Sequence, residues 1–174
     1  MIRLTDYIYD LIQNSIQAKS KHIELTISEG PLLEVLIKDD GIGMDEATLK
    51  RVESFTYTSR TTRKVGLGLS LIHDLTKQTD GYFKIESKQN IGTTLFLGFN
   101  SKHIDFPEMG DLAELVSDIY MHQDIKHFTF IFNTICVDLD ELGLDSLPKT
   151  FKRRNQLYEI VKNKLIEVAN ENTR

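Results

Sequence analysis

The stretch LLEVLIKDDGIGMD, residues 32–45, decides the fold. Its first seven residues are a largely apolar stretch suited to a strand, and they lead into Asp39 and Asp40 followed by Gly41 and Gly43. A carboxylate followed by two closely spaced glycines lets the backbone turn tightly and lets a flat ligand approach the main chain. An ionised Asp39 only accepts hydrogen bonds, so it suits an exocyclic amine such as that of adenine. Taken alone, the same residues also describe an acidic turn between a strand and a helix.

Upstream, residues 22–28 alternate, with Ile23, Leu25 and Ile27 on one face, and Glu29, Gly30 and Pro31 mark a turn. The two runs read as a hairpin. Before them, Leu4, Ile8, Leu11, Ile12 and Ser15 form one stripe at helical spacing over residues 4–18. Downstream, Asp45 is placed to cap a short helix through about Val52, with Met44 just ahead of it. Residues 54–65, SFTYTSRTTRKV, are polar and aperiodic, the composition of a mobile loop. Residues 67–79 are helical again, with Leu67, Leu71, Ile72 and Leu75 as the expected buried stripe. Strands follow over 82–87 and 93–99, giving an α-β-β-α-loop-α-β-β order. Strands joined through tight turns predict a mixed, largely antiparallel sheet with helices on one face, an α+β two-layer sandwich.

Three further groups bear on chemistry. Gly66, Leu67 and Gly68 open a helix, whose free N–H groups carry about half a positive charge and attract phosphate. Arg60, Arg63 and Lys64 lie just upstream, positioned to close over phosphates. Asp10 and Asn14, four apart, share one helix face; an Asn carbonyl suits Mg²⁺, and a carboxylate can orient water or take a proton. Thr93, after Gly92, is placed to donate a hydroxyl hydrogen bond toward a base.

The order and spacing of these groups resemble the GHKL superfamily of type II topoisomerase ATPase subunits, heat-shock chaperones, histidine kinases and mismatch-repair ATPases. The resemblance rests on YDLIQNSIQA (9–18), DDGIGM (39–44), GLGLSL (66–71) and IGTTLF (91–96), and covers about residues 4–99. It implies a histidine kinase-like ATPase fold with ATP between helices and sheet under a lid formed by 54–65. It implies that Asn14 holds Mg²⁺, that Asp39 reads the adenine amine, that Gly41 and Gly43 (with Met44 adjoining) line the base pocket, and that Gly66, Leu67 and Gly68 meet the phosphates. Relatives that hydrolyse ATP often carry glutamate where Asp10 stands, one methylene longer. Nine residues precede Asp10, so no hairpin bearing an acceptor histidine is expected, and none of the five histidines sits in an acceptor motif. The run YTSRTTRKVGLGLSL also looks like that of small stand-alone ATP-binding proteins of anaerobic bacteria. The reading is an Mg-ATP-binding regulatory protein, a phosphotransferase acting on a separate protein. The alternatives are an ATP-hydrolysing dimerisation switch and a non-catalytic ATP/ADP sensor.

Composition bounds the rest. A net charge of -5 argues against nonspecific nucleic-acid binding, and no apolar run approaches the ~20 residues of a membrane span. One cysteine, Cys136, fits a cytoplasmic protein and reads as a buried or half-buried structural thiol. Residues 1–100 are expected to form the nucleotide-binding domain. Residues 101–174 are expected to form a C-terminal α/β extension: a linker carrying Pro107, a helix near 110–121, a hairpin near 127–139 and a terminal helix near 152–170. The aromatic run HFTFIF, 127–132, either extends the main sheet or presents a docking or dimerisation surface.

Overall fold

The computed structural model describes residues 2–57, 67–139, 141–143 and 148–171. Its elements run α1 (Leu4–Gln17), β1 (His22–Glu29), β2 (Leu33–Asp39), α2 (Glu46–Tyr57), α3 (Leu67–Gln78), β3 (Tyr82–Lys88), β4 (Gly92–Phe99), α4 (Leu112–Tyr120), β5 (His127–Phe132), β6 (Ile135–Asp138) and α5 (Phe151–Glu171). The six strands form one sheet in the order β3-β4-β2-β1-β5-β6. Every neighbouring pair is antiparallel except β1 and β5, which are parallel. The sheet is therefore mixed and largely antiparallel, as its short turns predict.

The register explains why the layers hold. Ile85, Leu95, Ile37, Leu25, Phe130 and Val137 stand opposite one another across all six strands, and each is buried. A strand alternates faces with period two, so this row and its neighbours make one apolar face against which helices pack. Leu4, Ile8, Leu11 and Ile12 of α1, Ile72 and Leu75 of α3, Val116 and Ile119 of α4, and Leu157 and Val161 of α5 complete the core. A buried side chain of this size contributes roughly 1.5–3 kcal/mol, so the shared face is the dominant stabilising term.

HFTFIF does extend the main sheet: the whole of β5 pairs with residues 22–27 of β1, and residues after 100 belong to the same core. The connection also reaches back to α1. Leu4 and Thr5 donate their backbone N–H groups to the carbonyls of Glu108 and Met109 at 2.9 and 3.0 Å, which satisfies donors that a helix start leaves open.

Three local readings change. The second helix runs on to Tyr57 instead of stopping near Val52, so residues 54–57 are helical and only the rest of the expected loop falls outside the described residues. The Ser54 hydroxyl bonds back to the Arg51 carbonyl, which lets a polar residue sit in a helix that periodicity does not announce. Leu71 is 42% exposed, and Leu69 takes the buried place beside Ile72 and Leu75. Cys136 is exposed, because Ile135 and Val137 on either side of it take the inward positions of β6. Partial burial, then the nearby carboxylates of Asp138 and Glu141, push its thiol pKa up, away from a reactive thiolate.

Candidate functional site

At the C-terminal end of β2 the backbone is forced into shape by close approaches. Gly43 has φ +58°, and a Cβ there would lie 2.1 Å from the Lys88 carbonyl oxygen. Gly92 has φ +135°, and a Cβ there would lie 1.9 Å from the Asp39 carbonyl oxygen. Neither position admits another residue without displacing main chain. Gly41 is buried beneath the turn, where a Cβ would stand 2.9 Å from Ala18, and the Ile42 N–H donates to the Ala18 carbonyl. The D-x-G-x-G segment is thus clamped between the end of α1 and the β3–β4 turn.

These constraints set Asp39 at the wall of a cavity of about 150 Å³. Its Oδ1 accepts from the Gly41 N–H at 2.9 Å and the Thr93 N–H at 3.3 Å, and its Oδ2 accepts from the Ser15 hydroxyl at 2.7 Å. A carboxylate offers about four acceptor positions, so about one is left for a ligand. Apolar walls come from Leu11, Ile42, Met44, Leu69, Ile85 and Leu95. Asn14 and Thr93 also line the cavity. The Asn14 side chain makes no hydrogen bond among the described residues, so its carbonyl oxygen is available to a ligand.

Ser87 organises the opposite side. Its hydroxyl lies 2.9 Å from the Met44 N–H, 3.0 Å from the Gly92 carbonyl and 2.9 Å from the Thr93 hydroxyl. The proton assignment that satisfies all three has Ser87 donating to Gly92 and accepting from Met44 and Thr93. The Thr93 proton is then spent on Ser87, so its oxygen is left to accept at the cavity instead of donating toward a base as its sequence position suggests.

The predicted residues fall into three groups. Asn14, Asp39, Gly43, Met44 and Thr93 converge on the cavity, with Gly41 packed behind it. Leu67 and Gly68 open α3, and a Cβ on Gly68 would sit 3.6 Å from that of Asp10, so those two positions adjoin. Arg60, Arg63, Lys64 and Gly66 lie outside the described residues. Sequence reasoning missed Ser15 and Ser87 as site residues. Ser15 carries a signal, being the one polar member of the apolar stripe of α1, whereas Ser87 carries none.

The histidines stand away from the cavity. His73 is buried against Phe83, and burial, then Lys77, lowers its pKa. His22 and His127 stack at 4.4 Å where β1 and β5 begin. His122, after α4, has its Nε2 2.9 Å from the Tyr9 hydroxyl and 2.8 Å from the Gln13 amide. Burial, then Lys149, lowers its pKa and favours the neutral ring that accepts from both. His122 thereby ties the C-terminal region to the helix that carries Asp10 and Asn14.

A clamped strand-end carboxylate, a helix Asn above it and a glycine at a helix start define an ATPase domain of the GHKL type, and comparison places the chain there. It belongs to the histidine kinase-, DNA gyrase B- and HSP90-like ATPase family, whose pattern matches residues 1–103. Among curated proteins it is similar to the autoinducer 2 sensor kinase/phosphatase LuxQ of Vibrio cholerae, 30% identical over 118 residues, covering 62% of this chain and 14% of the relative. It is also similar to the sensor histidine kinase ZraS of Escherichia coli, 31% identical over 98 residues, covering 55% of this chain and 21% of the relative. The chain therefore spans about a fifth or less of the length of these relatives. Among solved structures, the Aquifex aeolicus MutL ATPase domain complexed with ADP matches with a TM-score of 0.54 at 16% identity, covering 88% of this chain and 67% of that one, a likeness of fold. Among the described residues no helix is long and apolar enough to cross a membrane.

Proposed function

We propose that this chain binds Mg-ATP and transfers its γ-phosphoryl group to a separate protein. The observation that carries the nucleotide reading is Asp39, held by three donors with about one acceptor position left toward an apolar cavity. The adenine 6-amino group would fill that position, and a charge-assisted bond of this kind contributes on the order of 1.5–3 kcal/mol. At about 150 Å³ the cavity is smaller than the ~300–1,000 Å³ of sites that enclose a whole drug-sized ligand. It would therefore hold the base, with the phosphates outside it toward Gly68 and the start of α3. The Asn14 carbonyl would hold Mg²⁺, which favours few protein oxygens together with phosphates and water and supplies charge neutralisation.

Asp10 is exposed, adjoins Gly68 and has no ion pair among the described residues, which suits a group that meets an incoming acceptor. An acceptor hydroxyl would attack the γ-phosphorus and pass its proton to Asp10. The bond from that phosphorus to the β–γ bridging oxygen would break, and ADP would leave with the electron pair. The family relationship to sensor kinases supports transfer over simple binding.

Competition between nucleotides tests the base reading. Guanine presents an oxygen where adenine presents the amine, and that oxygen faces a carboxylate. ATP and ADP are expected to displace a fluorescent adenine nucleotide at least about 100-fold better than GTP. Equal displacement by GTP would refute the assignment of Asp39.

A further inference from the structure

A second, larger cavity of about 420 Å³ flanks the same seam between α1 and α3. α1 gives Leu11 and Asn14 to the nucleotide cavity and Tyr7 and Asp10 to this cleft; α3 gives Leu69 to the first and Leu71 to the second. The far wall of the cleft is α4 with its N-cap residue Asp111, through Leu115 and the carboxylates of Asp111, Glu114 and Asp118. These α4 residues lie beyond the 1–103 match, so the family pattern does not include this wall.

The lining has two characters. Tyr7, Tyr9, Leu71 and Leu115, with Ile2 at the rim, supply apolar contact, and Leu71 and Ile2 are 42% and 59% exposed. Five carboxylates line the cleft with one guanidinium, Arg3, which pairs with Asp6 at 3.6 Å. Part of this charge is fixed in place. Asp111 accepts from the Glu114 N–H and the Tyr158 hydroxyl at 3.0 and 3.1 Å, and Asp118 pairs with Arg154 at 2.6 Å. Asp10 and Glu114 are exposed, and Glu114 has only a 3.9 Å contact with Arg3. Such a surface repels phosphates and other anions, which argues against a second nucleotide site and for a cationic occupant.

We propose that this cleft is the docking groove for the phosphate-accepting segment of the partner protein, and that this segment is cationic with an apolar side chain for the tyrosine and leucine wall. The proposal rests on the phosphotransfer reading, because Asp10 lines the groove and also adjoins the start of α3. A segment lying along α4 would bring its acceptor hydroxyl past Asp10. Residues of α4 would then select the partner, and those of α1 would serve the chemistry.

An arrayed library of short synthetic peptides, probed with the full chain, tests this. Bound peptides are expected to be enriched in arginine and lysine beside leucine or phenylalanine. The tightest of them, fluorescein-labelled and followed by anisotropy, is expected to bind Leu71→Glu and Glu114→Lys about tenfold more weakly, or worse. Both side chains are exposed, and thermal melting of each variant establishes that it is folded. Bound peptides without cationic enrichment, or cationic peptides held equally by both folded variants, would overturn the groove. Titration of the same preparations with Mg-ATP separates the two readings. Intact ATP binding with no cationic preference removes the groove alone, whereas failure of the chain to bind Mg-ATP removes the kinase reading and, even where cationic peptides bind, the assignment of the groove's occupant as a phosphate-accepting segment.

Discussion

Asp39 and Asp40 are neighbours in sequence and opposites in structure. Asp39 points into the cavity, where Ser15, Gly41 and Thr93 occupy about three of its four acceptor positions. Asp40, just past the end of β2, turns instead toward the start of β1, where the Ser20 hydroxyl, the Lys21 and His22 N–H groups and the His22 imidazole all converge on it. Burial pushes the Asp40 carboxyl up, but these hydrogen bonds outweigh it and hold the group well below the usual carboxylate range. A saturated carboxylate ties chain to chain. One left a position short is ready for a ligand.

Glycine substitutions give the largest expected effect on this comparison, because they break the turn that separates the two carboxylates. Gly92→Val would drive a side chain into the Asp39 carbonyl at a φ of +135°, and should cost more than about 4 kcal/mol in urea unfolding. Near-wild-type stability would show that the clamp on Asp39 is loose.

Asp40→Ala should cost about 1–3 kcal/mol, discounted for the 41% exposure of the side chain, and leave nucleotide affinity within about threefold. Its acid sensitivity sharpens the point. A carboxyl depressed on folding stabilises fully above its unfolded value near 3.9, and that stability drains away as pH falls through the lower folded value. The wild type should therefore lose stability below about pH 4 more steeply than Asp40→Ala in pH-dependent urea titrations, and parallel curves would rule out that role for Asp40.

Ser15→Ala removes one donor from Asp39 and should weaken ATP several-fold, on the order of 1 kcal/mol, with a similar loss in stability. An unchanged affinity by fluorescent-nucleotide displacement would mean that Ser15 does not orient the carboxylate. The smallest effect is expected at Gly68, where a methyl meets only ordinary contact at 3.6 Å. Gly68→Ala should be neutral or stabilise by up to about 1 kcal/mol in thermal melts, the gain of a helix former over glycine.

The contrast also explains what the sequence could and could not disclose. Local rules write Ile23, Leu25 and Ile27 as a strand face, and Leu4, Ile8, Leu11 and Ile12 as a helix stripe, so the main elements are legible. The close approach at Gly43 and Gly92 leaves glycine as its trace. Partners far apart in sequence leave none. Nothing near Ser87 announces that it joins Met44, Gly92 and Thr93, and nothing near residue 127 announces that β5 pairs in parallel with β1. Leu71 and Cys136 were misread for a related reason. Leu69 in α3, and Ile135 and Val137 in β6, take the inward positions, and which of two apolar faces turns inward is settled by packing.

The most direct measurement is a calorimetric titration of Mg-ATP into the wild type, Asp39→Ala and Asp40→Ala. The wild type and Asp40→Ala should bind saturably with similar affinity, while folded Asp39→Ala should lose at least about tenfold to 100-fold. Equal binding by a folded Asp39→Ala, or no binding by the wild type at millimolar nucleotide, would contradict the account.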